Sequence, residues 1–414
     1  MKFTVWNWLV FPAMGLVWSM TVPIFNHFYC ADMPIEHVTE MMDPQDWDSD
    51  TYQMINFIGL AEKYGYTAEE YKVTTKDGYI LTLHRISGSP SSPKASGKPA
   101  VYLQHGILLS SDSWILMGPE KDLAFLLADQ GKDVWLGNTR GNTYSRAHVK
   151  LDPAEEKFWE FSYHEMGIYD LPAIIDTILD VTDSQKLEYY GYSMGTTISY
   201  VLLSQRPEYN QKISKMYHIA PVAKWGSTLK SMLKVMDVIF DALKEFITFF
   251  KFQQLLPQSA MAAELGKKQC DESSFFQPIC FTLFSTIGLD KSRFNQTLLP
   301  HVMKHFPAGV SKYTVYHYNQ NYNTHKFAAY DYGVGINLKK YGTTKPPKYD
   351  LSKVKVPVTI WYADNDDIAY PDNVFSLAEE LPNVIDVNKV DDPKFNHFDF
   401  LWATDVRQLV YNKL

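Results

Sequence analysis

The sequence predicts an α/β fold, in which a mostly parallel central sheet carries helices on both faces and receives one inserted, mainly helical segment. Two observations lead to this prediction. Short apolar segments typical of strands alternate with segments of helical spacing, and the alternation stops over residues 221–332 before it resumes. Alternating strands and helices form parallel sheets that are covered on both faces. We therefore expect a core over residues 50–220 and 333–414, with residues 221–332 as a cap.

The N-terminal segment differs from the rest of the chain. An apolar, tryptophan-rich run from Val5 to about Phe25 is interrupted by Pro12 and Pro23. Such a run is typical of a cleaved secretory signal peptide or of a retained signal anchor. The prolines favour a cleaved signal over residues 1–25, although no small-x-small cleavage motif marks its end. Both alternatives put the folded part outside the cytosol, in the secretory pathway.

The strands and helices of the first half follow from local patterns. Alternating residues on either side of Asp77-Gly78 predict a hairpin, and short apolar runs predict buried strands. The predicted elements are a hairpin over 69–85, strands over 99–104 and 133–136, and helices over 121–130 and 161–180.

A strained turn is predicted at Ser193. Residues 186–197 are typical of a short strand, a tight turn and the start of a helix, and Gly191 and Gly195 flank the serine in a G-x-S-x-G pattern. Side chains two positions from the serine would collide across such a turn. The hydroxyl would then stand above the first amides of the helix, where negative charge is favoured.

The inserted segment contains one long amphipathic pattern. Between Leu229 and Phe250, apolar residues rich in methionine and phenylalanine recur at helical spacing, and Lys234 and Asp237 lie on the other side. The apolar face can pack onto the domain below, or it can line a site for an acyl chain or an oil surface. One helix can do both.

The second half of the core carries acidic residues and a histidine after its strands. The predicted elements are strands over 216–220, 357–362 and 383–390 and a closing helix over 399–413. Asp364, Asp366 and Asp367 follow the second of these strands, and His397 follows the last one. A nucleophilic serine needs a base, and the base needs a carboxylate. In α/β-hydrolases these groups occur in the order serine, acid, histidine, which His397 fits, whereas spacing leaves three candidate acids.

Two backbone amides are expected to stabilise an oxyanion beside the serine. One is the amide of Met194, directly after the nucleophile, and the other is that of Ile107, in the loop after the 99–104 strand. Gly106 would let this loop approach closely. His105 is expected to shape the loop rather than to react.

Composition and motifs exclude several classes of function. A net charge of −8 without a basic stripe argues against a nucleic-acid partner. The histidines show no H-E-x-x-H pattern and the cysteines no C-x-x-C pattern, so we expect no metal. Residues 137–141 lack phosphate-loop spacing, and we expect no cofactor.

Cysteine usage and one sequon agree with the secretory pathway. Cys270 and Cys280 would close a small ring in an oxidising compartment, and Cys30 is left over. Asn295 begins an Asn-Gln-Thr sequon for N-glycosylation, which has meaning only in a secreted chain.

From about Asp50 to the C-terminus the chain resembles the acid lipase family, the group of lysosomal acid lipase and gastric lipase. The stretches that carry the resemblance are residues 70–81, 103–106, 133–146, 165–173 and 396–402. The resemblance implies an α/β-hydrolase fold with a cap, and a secreted or lysosomal ester hydrolase that acts on neutral lipids at a lipid–water interface without a cofactor.

The resemblance also implies roles for individual residues. Ser193 matches the nucleophile and His397 the base. The family's Trp-x-Gly-Gly-x-Asp stretch aligns with residues 361–366, which selects Asp366 as the acid. Ile107 and Met194 match the oxyanion positions. Cys270 with Cys280 resembles the disulfide of the family's cap.

The chain departs from the family pattern beside the nucleophile. The family has histidine before the serine and glutamine after it, where this chain has Tyr192 and Met194. A backbone amide binds the oxyanion, so methionine at position 194 is compatible with activity. Two alternatives to a lipase remain: a catalytically weak lipid carrier on the same fold, and an esterase for small substrates.

Overall fold

The computed structural model describes residues 56–226, 253–258, 270, 274, 277, 288 and 292–414. The predicted signal peptide over residues 1–25 lies outside the described residues. So do the predicted amphipathic helix between Leu229 and Phe250, and Cys280.

A mostly parallel sheet forms the centre of the molecule. Within the described residues, nine strands join this sheet in the order β1-β2-β4-β3-β6-β7-β10-β11, and β5 pairs with β2. Pairing is antiparallel among β1, β2, β4 and β5, and it is parallel from β4 through to β11. The strands are β1 Thr67–Thr74, β2 Tyr79–Gly88, β3 Ala100–Gln104, β4 Asp133–Leu136, β5 Ala147–His148, β6 Leu187–Tyr192, β7 Ile213–Ile219, β8 Gln254–Leu255, β9 Val310–Ser311, β10 Val358–Tyr362 and β11 Val384–Lys389.

Helices connect the parallel strands. The described α-helices are α1 Phe57–Lys63, α2 Leu123–Asp129, α3 Tyr163–Glu165, α4 Leu171–Thr182, α5 Met194–Gln205, α6 Leu299–Met303, α7 Lys312–Thr324, α8 Val334–Tyr341, α9 Pro371–Glu380, α10 Asp399–Trp402 and α11 Val406–Leu409. Strands β3, β4 and β10 are buried along their whole length, because both faces of the sheet are covered. The predicted α/β fold is confirmed.

Two predicted helices are wrong in detail. The helix expected over 161–180 consists of α3, a π-helical turn at Met166–Asp170, and α4. The helix expected over 399–413 is broken after α10. There Ala403 bridges to Phe294, and the amide of Thr404 donates to the carbonyl of Arg293. Pairing with the distant segment around Phe294 therefore ends the helix, although the local spacing favours its continuation.

The predicted cap segment is described in part. It contributes α6, α7 and a two-stranded sheet formed by β8 and β9. Helix α7 is joined to the core by side chains: the hydroxyls of Tyr318 and Thr197 are 2.8 Å apart, and His317 Nδ1 lies 3.0 Å from Ser162 Oγ. In the part of the chain that the structure describes, no helix has the length and apolar character needed to cross a membrane.

Candidate active site

Ser193 sits in a strained turn between β6 and α5. Its backbone has φ 51° and ψ −117°, a conformation that residues other than glycine rarely adopt. The amide of Ser193 donates to the carbonyl of Ile219 at 3.0 Å, which anchors the turn to the neighbouring strand β7. The turn brings the hydroxyl to the carboxyl end of the sheet, directly before the first turn of α5.

The two glycines of the G-x-S-x-G pattern are needed for different contacts. A Cβ atom on Gly191 would lie 2.9 Å from Tyr189 Cε1 and 3.1 Å from the carbonyl carbon of Gly195, and the second of these is the predicted close contact across the turn. A Cβ atom on Gly195 would instead lie 2.3 Å from the carbonyl oxygen of Gln104, the last residue of β3. Glycine is therefore needed at position 195, as predicted, but the close contact is with strand β3 and not across the turn.

A chain of two hydrogen bonds joins three side chains that are far apart in sequence. His397 Nε2 lies 2.9 Å from Ser193 Oγ, and His397 Nδ1 lies 2.8 Å from Asp366 Oδ2. All three side chains are buried, with exposed fractions of 5% for Ser193, 2% for His397 and 1% for Asp366. An ionised carboxylate can only accept, so it fixes the tautomer that leaves Nε2 free to receive the serine proton.

Asp366 is held in place by its own loop. Its second oxygen, Oδ1, accepts from the amides of Ile368 at 2.9 Å and Ala369 at 2.7 Å. These bonds orient the carboxylate so that Oδ2 faces the imidazole of His397.

The other two candidate acids point elsewhere. Asp364 is exposed and pairs with Lys389 Nζ at 3.1 Å. Asp367 is also exposed. Although the residue as a whole is exposed, its carboxyl group is partly desolvated, and this desolvation, followed by the nearby charge of Asp366, raises the pKa of Asp367. Of the three carboxylates that spacing left open, Asp366 is the one whose oxygen bonds to His397.

The loop after β3 packs directly against the nucleophile. A Cβ atom on Gly106 would lie 3.1 Å from Ser193 Cβ, so the missing side chain permits this approach. Ile107 follows and is half-buried. Met194 is the first residue of α5, and its amide has no acceptor within its own helix. Ile107 therefore follows a residue that packs on Ser193, and Met194 directly follows the serine at the start of α5; their role as oxyanion donors stays a prediction.

His105 is a buried structural group in this loop. Burial lowers the pKa of its imidazole to about 4, so the ring is neutral. Nδ1 donates to the carbonyl of Gly106 at 2.7 Å, and Nε2 accepts from the amide of Thr139 at 3.3 Å. These bonds hold the Gly106–Ile107 backbone, as expected of a residue that shapes the loop.

Two contacts at the site have no signal in the local sequence. The hydroxyl of Tyr192 donates to the main-chain carbonyl of His397 at 2.9 Å. From the predicted cap, the carbonyl of Gly288 accepts from the amide of Phe398 at 2.7 Å. Both contacts join segments that are distant along the chain, so no spacing rule could have found them.

The remaining predicted sites are a glycosylation site and a disulfide. Asn295 is exposed, and its side-chain oxygen accepts from the amide of Thr297 at 3.2 Å. Cys270 is buried and disulfide-bonded, with a partner outside the described residues. Among the residues that the structure describes, no group of three or more histidine, cysteine or acidic side chains could hold a metal ion.

Two family models match the chain. The model of the alpha/beta hydrolase fold matches residues 99–404, and that of the partial alpha/beta-hydrolase lipase region matches residues 57–118. A solved structure from Sulfolobus solfataricus, described as a candidate lipase, superimposes with a TM-score of 0.55 at 12% identity. It covers 83% of this chain and 91% of its own. This last likeness supports the fold alone.

Curated relatives narrow the family. The chain is 40% identical over 356 residues to Lipase 1 of Drosophila melanogaster, covering 86% of this chain and 77% of that protein. It is 38% identical to the human gastric triacylglycerol lipase over 362 residues and to human lipase member K over 363, each time covering 87% of this chain and 90% of the relative. The chain therefore belongs to the α/β-hydrolase family and, within it, to the lipases that include the gastric triacylglycerol lipases.

Proposed function

We propose that this lipase hydrolyses neutral lipid esters of the triacylglycerol or sterol ester type, with Ser193 as nucleophile, His397 as base and Asp366 as the acid that orients it. The observation that carries the proposal is the unbroken hydrogen-bond chain Ser193–His397–Asp366 at 2.9 and 2.8 Å. Each bond has the length and partners that proton transfer from serine to imidazole requires.

The first half of the reaction forms an acyl-enzyme. Ser193 Oγ attacks the ester carbonyl while His397 Nε2 takes its proton, and the imidazolium is stabilised by the Asp366 carboxylate. The amides of Ile107 and Met194 donate to the oxyanion of the tetrahedral intermediate. His397 then returns the proton to the departing alcohol oxygen, and the acyl group stays on Ser193.

The second half releases the acid. A water molecule loses a proton to His397 Nε2 and attacks the acyl carbonyl, through a second oxyanion held by the same two amides. The C–O bond to Ser193 breaks, the serine recovers its proton from the imidazolium, and a carboxylic acid leaves. The ester and one water molecule are the only reactants that these steps need besides the side chains and amides named, so we propose catalysis without a cofactor or metal.

Lipid esters at a lipid–water interface are the proposed substrates for two reasons. Two of the relatives compared above are named as a triacylglycerol lipase and as a lipase. The sequence between Leu229 and Phe250 has an apolar face rich in methionine and phenylalanine, which suits contact with acyl chains. This composition favours a lipid ester over small polar esters as the substrate.

The proposed organisation follows the sequence prediction. It consists of a signal peptide over residues 1–25, a core over 50–220 and 333–414, a cap over 221–332, and secretion or lysosomal delivery. The disulfide state of Cys270 and the exposure of Asn295 support passage through an oxidising, glycosylating compartment. We propose Cys280 as the partner of Cys270 and Asn295 as a glycan site.

The test is hydrolysis of a panel of esters by the purified secreted chain. We expect emulsified long-chain triacylglycerol or sterol ester to be hydrolysed, with a steep rise in rate once an oil phase is present. Ser193→Ala should lose essentially all turnover. Asp364→Asn, at an exposed carboxylate, is the matched control and should keep it.

Other outcomes would replace the proposal. Hydrolysis confined to soluble short-chain esters would indicate a small-substrate esterase. Lipid binding without hydrolysis of any ester would indicate a carrier. Turnover that survives Ser193→Ala would remove the nucleophile assignment.

A further inference from the structure

Tyr192 occupies a central position among the three loops of the site. It precedes Ser193 in the turn, where the acid lipase pattern has histidine. Tyr192 is 1% exposed. Its ring lies 5.1 Å from the imidazole of His397, and Trp114 packs edge-on at 6.3 Å on centroid distances.

The side chain makes two separate contacts. Its hydroxyl donates to the main-chain carbonyl of His397 at 2.9 Å, across 205 positions of sequence. Its ring lies beneath the oxyanion loop, because a Cβ atom on Gly106 would be 3.2 Å from two ring carbons. The same residue therefore touches the loop that carries the base and the loop that carries Ile107.

We infer that Tyr192 is a positioning residue. It holds the loop of His397 and the loop of Ile107 in fixed positions relative to the turn that carries Ser193. This inference rests on the proposed roles of Ser193 and His397. The hydroxyl acts through the backbone of His397 and makes no contact with the reacting atoms. The ring of His397 is already hydrogen-bonded to Ser193 and Asp366. A further bond to its main-chain carbonyl restricts movement of the backbone that carries the imidazole.

Burial supports a permanent role for the hydroxyl. Desolvation raises the pKa of Tyr192 well above its ordinary value, and Asp366 acts in the same direction. The phenol therefore keeps its proton, and can donate, at neutral pH. A neutral donor also adds no charge that would compete with Asp366 for the imidazolium.

The first test is the kinetic effect of Tyr192→Phe, which removes the hydroxyl and keeps the ring under Gly106. We expect kcat for a soluble ester to fall between about 5-fold and 30-fold, with KM within about 2-fold, because substrate contacts are unchanged. Tyr79→Phe is the matched control, since Tyr79 is also buried and its hydroxyl also donates to a main-chain carbonyl, that of Phe158. It should leave kcat unchanged.

A second variant and a second readout keep the inference falsifiable. Tyr192→His also lacks the bond, because imidazole is too short to span it, and it should behave like Tyr192→Phe. The low-field NMR signal of the proton between His397 and Asp366, assigned by its loss in His397→Ala, needs no turnover. In both variants we expect this proton to exchange with water at least several-fold faster than in the unmodified protein.

The outcomes separate the two proposals. Unchanged kcat and unchanged proton exchange in a folded Tyr192→Phe protein would overturn the positioning role while leaving the lipase intact. If the unmodified protein hydrolyses no ester, the proposed function fails, and proton exchange alone then decides the role of Tyr192. A fall in stability with normal kcat would also overturn it, because that is the signature of a purely structural side chain.

Discussion

At the scale of single residues, the site depends on which carboxylate faces the imidazole. Asp366 reaches His397 because two backbone amides of its own loop hold one oxygen and aim the other. Asp364, two residues away, pairs with Lys389 at the surface instead. Neighbouring acids in one loop thus have different surroundings, and only one of them can stabilise an imidazolium.

Asp366→Asn should lower kcat by about 10⁴-fold, because a neutral amide neither stabilises the imidazolium nor enforces the correct tautomer. Asp364→Asn and Asp367→Asn change exposed carboxylates and should alter kcat by less than about 3-fold. Steady-state hydrolysis of one soluble ester by the three variants is the measurement. If Asp364→Asn or Asp367→Asn proved the most damaging, Asp366 would be the wrong acid.

Buried histidines make stability depend on pH. Desolvation lowers the pKa of His218 to about 3, and its ring nitrogens lie 2.6 Å from the Tyr200 hydroxyl and 3.2 Å from that of Ser199. In the unfolded chain the same ring has a pKa near 6.5. Because the folded-state pKa is the lower one, the unfolded state binds the proton first as pH falls. The stabilisation present above pH 6.5 is therefore lost on acidification.

Replacing His218 should make the free energy of unfolding depend less on pH in this range. Between pH 6.5 and 4 the unmodified protein should lose up to about 3 kcal/mol of unfolding free energy through His218 alone. His218→Gln should lack this loss, although it should be less stable than the unmodified protein above pH 7. Denaturant unfolding at several pH values measures both slopes. Parallel profiles for the two proteins would contradict a neutral, buried His218.

At the scale of elements, the turn between β6 and α5 depends on how closely α5 approaches β3. A Cβ atom at Gly195 would meet the carbonyl oxygen of Gln104 at 2.3 Å, and neither backbone can yield without moving a strand or a helix. The start of α5, and with it the amide of Met194, is therefore fixed by the central sheet. The proposed role of this amide in binding an oxyanion depends on the same packing.

Gly195→Ala should reduce the free energy of unfolding by roughly 2 to 3 kcal/mol or more, because the added methyl group overpacks a backbone contact. Gly335→Ala in α8 is the control. A Cβ atom there has no neighbour within 4 Å, so its effect should lie between no change and a gain of about 1 kcal/mol. Equilibrium denaturation measures both. Equal stabilities for the two variants would contradict the close approach at Gly195.

Helical periodicity predicted where elements lie but not how they are joined. The spacing over 161–180 indicates one helix, yet a π-turn at Met166–Asp170 interrupts it. Asp170, at the end of that turn, accepts from the amide of Arg140 at 3.1 Å and from its side chain at 2.8 Å. Arg140 also bonds to Asp77 in the β1–β2 turn. This buried ion pair joins segments that are distant along the chain, so the spacing of residues within 161–180 could not predict the π-turn.

At the scale of the whole molecule, sequence could predict the parts of the site that local geometry determines. Ser193 is marked by its two glycines, and His397 by its position after the last strand. Spacing alone did not distinguish Asp366 from its neighbours, because the choice depends on how one loop folds. The contact from Tyr192 to His397 could not be predicted, since it spans 205 residues and appears once the sheet has brought both loops to one edge.

The most direct test of the account is the site of reaction with a fluorophosphonate ester, which reacts preferentially with a serine that a base activates. The modified residue is identified by mass spectrometry of the digested protein. We predict a single adduct on Ser193, absent in Ser193→Ala and reduced at least 100-fold in rate in His397→Ala. An adduct on another residue, or none on the folded protein, would contradict the claim that Ser193, His397 and Asp366 form a working catalytic site.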